Sequence, residues 1–126
     1  MKRLWLGAGI LIALLAVSLW IMADAESRSE KVCKSLSQVM EAARDEDWAA
    51  VEQGTADTQK LWEESWDGWA ALSDHTILDE IDAGFARLEV YGRDRHETDF
   101  AAECAALIRR IEALGEGHRL NWRNLM

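Results

Sequence analysis

The side chains of this chain with the greatest chemical reach are His75, Asp79 and Asp82. If a helix already includes His75, offsets of four and seven bring all three within about 60° of arc. An imidazole and two carboxylates on one face are a donor set suited to a divalent metal. Three ligands from one helix without a fourth make a weak site, and acidic residues in a first turn also complement the helix dipole. His75, Asp79 and Asp82 are therefore candidate metal ligands only, and no cofactor is expected. A second group is aromatic. On a wheel turning about 100° per residue, Trp48, Val51, Thr55, Trp62, Trp66 and Trp69 share an arc of roughly 60°. Such a stripe serves first as core, since a buried indole removes on the order of 200 Å² from water. Trp48 and Trp66 at its edge are candidates for an interaction surface. Trp122 is a third, within the basic, aromatic tail His118 to Arg123.

Cys33 and Cys104 are the only thiols. Counted at about 1.5 Å per residue in antiparallel neighbouring helices, they sit at heights differing by roughly 8 Å. A disulfide needs Cα atoms within about 7 Å, so a bridge requires helix boundaries shifted by a turn. Cys104 on an apolar face has a raised pKa and is a poor nucleophile. The chain carries no phosphate-binding Gly loop, no H-E-x-x-H, no C-x-x-C and no G-x-S-x-G. Nothing combines a nucleophile, a base and an orienting group, so no catalytic residue is named and the chain is not expected to be an enzyme.

These residues need elements to hold them, and the elements read as helices. Period-3.6 patterning dominates from Arg28 onward and no stretch shows sustained strand alternation. The first stripe is Val32, Leu36, Val39, Met40 and Ala43, ended by Arg44-Asp45-Glu46-Asp47. Asp47 then caps a second helix from Trp48, which Gly54 weakens by about 1 kcal/mol relative to Ala. A third runs from about Thr76 to Tyr91 on Ile77, Ile81, Phe85, Leu88 and Tyr91, capped by Ser73, Asp74 or Thr76 and stopped at Gly92. A fourth runs from about Glu97 to Leu114 on Phe100, Cys104, Leu107, Ile108, Ile111 and Leu114, closed by Gly115 and Gly117. Short connections favour antiparallel neighbours, so the expected fold is all-α, a compact bundle of about four helices.

Ahead of the bundle, Leu4 to Ala23 is an uncharged run, long enough as a helix to span about 30 Å of hydrocarbon. Trp5 and Trp20 lie near its ends, where indoles favour the interface. Two readings of residues 1–26 stand: an uncleaved anchor, favoured by length, and a signal peptide cut after Ala23-Asp24-Ala25. Residues 27–126 form the second unit. With Lys2 and Arg3 in front, the N-terminus is expected in the cytoplasm and the body outside it, a single-pass cell-membrane protein. The formal net charge is −9, with 23 acidic against 14 basic residues. Such a chain is a poor match for nucleic-acid phosphates and is repelled by anionic lipid headgroups, so neither nucleic-acid binding nor peripheral lipid binding is expected.

The whole pattern resembles a bacterial membrane-anchored family, domain of unknown function 4363. The resemblance rests on the basic start and single span, Glu46-Asp47-Trp48 opening a helix, Trp62 and Trp69, and Asp74-His75 before Ile81, Leu88 and Tyr91. Its most particular part is the ending Leu120-x-x-x-Asn124-Leu125-Met126. The chain departs from the family in Thr76-Ile77-Leu78-Asp79, where an acidic residue follows the His sooner. The resemblance implies a helical extracytoplasmic module with no assigned reaction, accompanying an integral membrane protein of YetF-like type. The expected role is a non-enzymatic accessory subunit of a membrane protein. The alternative is a small-ligand or metal-binding module of the cell envelope.

Overall fold

A computed structural model describes the backbone of residues 1–72 and 74–125 and the side chains of residues 1–70 and 74–116. It has four helices and, among the described residues, no strand. Helix α1 spans Lys2–Arg44, α2 Trp48–Leu72, α3 His75–Arg93 and α4 Glu97–Leu125. Each packs on its chain neighbours and α4 closes on α1, the ring of an up-down bundle.

The apolar run and the first bundle stripe are one helix of 43 residues, about 64 Å long. No Pro interrupts it, and an Asp24–Arg28 ion pair of 3.0 Å bridges the junction. Arg28 also donates to the Glu64 carbonyl at 2.9 Å, tying α1 to α2. Residues 1–20 are exposed throughout, whereas Ala25, Ser29, Val32, Leu36, Val39 and Ala43 are buried.

That spacing alternates four and three. The same alternation runs through Val51, Thr55, Thr58, Trp62, Ser65 and Trp69 on α2 and Phe100, Cys104, Leu107, Ile111 and Leu114 on α4. A repeat of 3.5 keeps one seam facing its partners, the packing of a coiled-coil-like bundle. It explains a correction in α3. Ile77, expected in the core, is 41% exposed, and Leu78 takes its place in the seam Leu78, Ile81, Phe85, Leu88.

Where α1 meets α2 the seam is built of small and hydroxyl-bearing residues. Ser29, Thr55, Thr58 and Ser65 are buried, each hydroxyl donating to a carbonyl one turn back on its own helix. Ser35 and Thr58 share a further hydroxyl–hydroxyl contact across the interface. Gly54 lies here because a Cβ would stand 2.7 Å from Val39 Cγ2. Its helix-weakening effect is thus offset by close approach of two helices.

Gly84 serves α3 and α4 in the same way, since a Cβ there would lie 2.4 Å from Cδ2 of the fully buried Leu107. Gly84→Ala is therefore expected to lose about 1–3 kcal/mol through overpacking, despite the better helix former. Gly115 has nothing within 4 Å of a built Cβ. Gly115→Ala is expected to gain up to about 1 kcal/mol. Urea unfolding of both variants checks the pair, and equal signs would contradict this packing.

Two expected helix stops are corrected. Gly115 and Gly117 do not close α4, which continues to Leu125, because a helical Gly costs only about 1 kcal/mol. Nor does Gly92 end α3. That helix closes at Arg93 on Asp94, with Arg95 in the left-handed region at φ 56°. The Arg95 amide donates to Gly92 and the His96 amide to Tyr91. The α1–α2 turn repeats the pattern: Glu46 lies at φ 58°, with Glu46 bonding Ala43 and Asp47 bonding Ala42. Both are Schellman closures in which a charged residue stands where Gly is commonest.

Candidate functional site

The two Schellman turns share the end of the bundle remote from the apolar half of α1, and a groove opens beside them between α2 and α3. It encloses about 570 Å³, and its lining includes Trp48, Glu52, Thr55, Glu89, Arg93 and Arg95. Asp47 positions Trp48 by capping α2, its carboxylate accepting from the Ala50 amide at 3.3 Å. Trp48 is half-buried and packs on the core with one side, leaving the rest toward the groove. Arg93 pairs with Glu89 at 3.1 Å, both well exposed, and Arg95 is presented from the left-handed turn position. The arrangement is an indole bordered by charges of both signs.

Trp66, the other edge indole, is likewise half-buried, and stands edge-on to Trp62 with ring centres 6.3 Å apart. It lies two to three turns from the groove on α2 and is not part of it. Trp122 lies outside the residues whose side chains are described.

The His75, Asp79 and Asp82 set does not converge. His75 and Asp79 are exposed near the start of α3, where Asp74 is the cap, accepting from the Thr76 amide at 2.9 Å. That bond holds the Asp74 carboxyl below its ordinary range. Asp82 is engaged elsewhere: its carboxylate accepts the indole N–H of buried Trp62 at 2.7 Å. Among the described residues no three His, Cys, Asp or Glu side chains gather closely enough to hold a metal ion. Offsets along one helix place side chains on a face, but only the neighbouring helix decides which of them is already bonded.

Further polar features that join different helices escape a reading of single helices. Trp62 with Asp82 is the first. The second is Glu103, whose side chain is 13% exposed; it accepts from Arg87 at 3.0 Å, tying α3 to α4, and from Arg110 of its own helix at 3.5 Å. The third is a narrow cleft of about 300 Å³ between α1 and α4, where Glu30 and Glu112 stand beside Cys33. Burial, then Glu112 and Glu30, push the Cys33 thiol up to about 11. Burial and Glu103 push Cys104 up to about 12. Both cysteines are free, so the disulfide does not form in this structure. Neither thiol has the lowered pKa of a nucleophile.

Comparison with curated proteins and with solved structures yields no match. A family model does match: residues 19–125 correspond to the family described as Domain of unknown function (DUF4363). That stretch takes in all four packed helices and begins near the end of the apolar run. With a match over most of its length, the chain belongs to the DUF4363 family.

Proposed function

We propose that this protein is a single-pass, membrane-anchored bundle acting as a non-enzymatic accessory subunit of an integral membrane protein. The observation that carries the reading is α1, one uninterrupted helix with a bare apolar first half and a second half built into the core. It is long and apolar enough to cross a membrane. A hydrocarbon layer takes up about 30 Å of it, leaving roughly 30 Å to run the height of the bundle. An anchor continuous with the core holds the groove at a set distance from the bilayer, within reach of a neighbour's extramembrane part. Lys2 and Arg3 favour a cytoplasmic N-terminus with the bundle in the cell envelope. Cleavage before Glu26 would cut α1 beside Ala25, a core residue at 3% exposure, which favours the retained anchor over a signal peptide. The family resemblance suggests a YetF-like protein as the partner.

The test is co-purification of the tagged full chain from its native membranes in a gentle detergent, followed by mass spectrometry. A stoichiometric integral membrane protein is expected. Trp48→Ala should weaken its retention by about 30-fold or more if the groove is the contact, as truncating a central aromatic does. Recovery of the chain alone, or full rescue of a deletion strain by the bundle without its anchor, would count against the reading. The alternative, a small-ligand module of the envelope, has the volume of the same groove in its favour. It requires a ligand that raises the melting temperature.

A further inference from the structure

The four helices of the bundle do not end together. Gly68 of α2 faces Ala25 of α1, where an added Cβ would lie 3.8 Å from the Ala25 Cβ. Glu26 of α1 and Glu116 of α4 border one cleft, and α3 begins at His75. The α3–α4 pairs Gly84 with Leu107 and Arg87 with Glu103 bring His75 to the level of Glu116 by simple antiparallel counting. Ala25, Gly68, His75 and Glu116 thus mark one floor. Below it α1 carries on as the apolar span, and α4 alone continues substantially, to Leu125, roughly 13 Å further. Helices running antiparallel put those last turns of α4 level with the end of the span near Trp20.

The composition changes at the same point. In a chain with 23 acidic residues, none follows Glu116, while His118, Arg119 and Arg123 do, together with Leu120, Trp122, Leu125 and Met126. Arg119 and Arg123 are four apart in the sequence, the spacing of one helical turn. Arg with Trp and Leu is the composition of an interfacial segment, and such a segment gains from anionic lipid. An acidic bundle standing on a membrane is repelled by that lipid, so a basic foot at its floor has a physical purpose.

We infer that the last turns of α4 form a second membrane contact, lying in the anionic headgroup layer of the bilayer that α1 crosses. The inference rests on the anchor reading above. It makes the bundle a two-point attachment, with α1 through the bilayer and α4 resting in its surface, which limits rotation and tilt of the bundle about α1.

The test uses the full chain with Cys33→Ser and Cys104→Ala, reconstituted in phosphatidylcholine vesicles with and without phosphatidylglycerol. An environment-sensitive fluorophore is placed through Trp20→Cys, Asn121→Cys or Asp94→Cys, and quenching by doxyl-labelled lipid is measured. Labels at positions 20 and 121 are expected to be quenched and that at 94 to be silent. Phosphatidylglycerol should deepen the quenching at 121, and Arg119→Gln with Arg123→Gln should lower that segment's insertion equilibrium about 25-fold. Quenching at 20 with silence at 121 overturns the foot and leaves the anchor. Silence at both overturns the anchor itself. Quenching at 121 that ignores both the arginines and phosphatidylglycerol overturns recognition of anionic headgroups.

Discussion

Trp62→Ala lowers the stability of the bundle by about 3–5 kcal/mol, the range for truncating a buried aromatic. Domains of this size hold only about 5–15 kcal/mol in all, so the variant loses a large share of its stability. Trp62 is 1% exposed, stacks on Phe85 with ring centres 6.5 Å apart, meets Trp66 edge-on, and donates its N–H to Asp82. Removing it empties the contact between α2 and α3 at mid-height. Trp62→Phe separates the parts of the effect. It keeps most of the aromatic contact with Phe85 and loses the N–H bond, so it should cost about 1–2 kcal/mol plus a smaller cavity. Trp66→Ala, at a half-buried edge, should fall below Trp62→Ala. Urea denaturation followed by far-ultraviolet circular dichroism ranks the three. A loss under about 1 kcal/mol for Trp62→Ala would contradict the core described here.

Removal of residues 2–20 has the opposite profile, a large effect on location with almost none on folding. Every one of those residues is exposed, and the first buried position on α1 is Ala25. The truncated chain should therefore melt within about 0.5 kcal/mol of the detergent-solubilised full chain, as changes outside the core do. In the membrane each Leu, Ile and Val near the middle of the span contributes about 0.3–0.6 kcal/mol of insertion free energy, so their loss releases the chain. Full-length protein should sediment with membranes and resist carbonate extraction, while the truncated protein stays in the supernatant. If both fractionate as soluble, the run acts as a signal peptide. A cut reaching residue 31 should behave differently again, because it takes Ala25 and Ser29 out of the seam with α2.

The α2 stripe shows how far a helical wheel reaches. Val51, Thr55, Trp62 and Trp69 lie in the core as their spacing predicts, and Trp48 and Trp66 lie at its edge. Thr58 and Ser65 complete the seam and are invisible to a hydrophobic pattern, because their hydroxyls are satisfied by their own helix. In α3 the wheel chose Ile77 over Leu78. Repeats of 3.6 and 3.5 differ by only about 20° per heptad, too little for one short helix to distinguish. Asp82 makes a related point: it reads as a free carboxylate until α2 brings an indole to it.

What the sequence determined by itself is whatever local chemistry controls. Hydrophobic length set a helix apolar enough to cross a membrane, apolar spacing set four helices, and short polar side chains at Asp47 and Asp74 set where two of them begin. Order and spacing together were enough to place the family. Tertiary structure decided the rest. It chose the heptad seam, admitted Gly54 and Gly84 where helices press together, bent Glu46 and Arg95 into left-handed turns, and carried α4 past Gly115. Each of these sets a local cost of about 1 kcal/mol against packing with a partner distant in the chain, and that balance exists only once the helices meet.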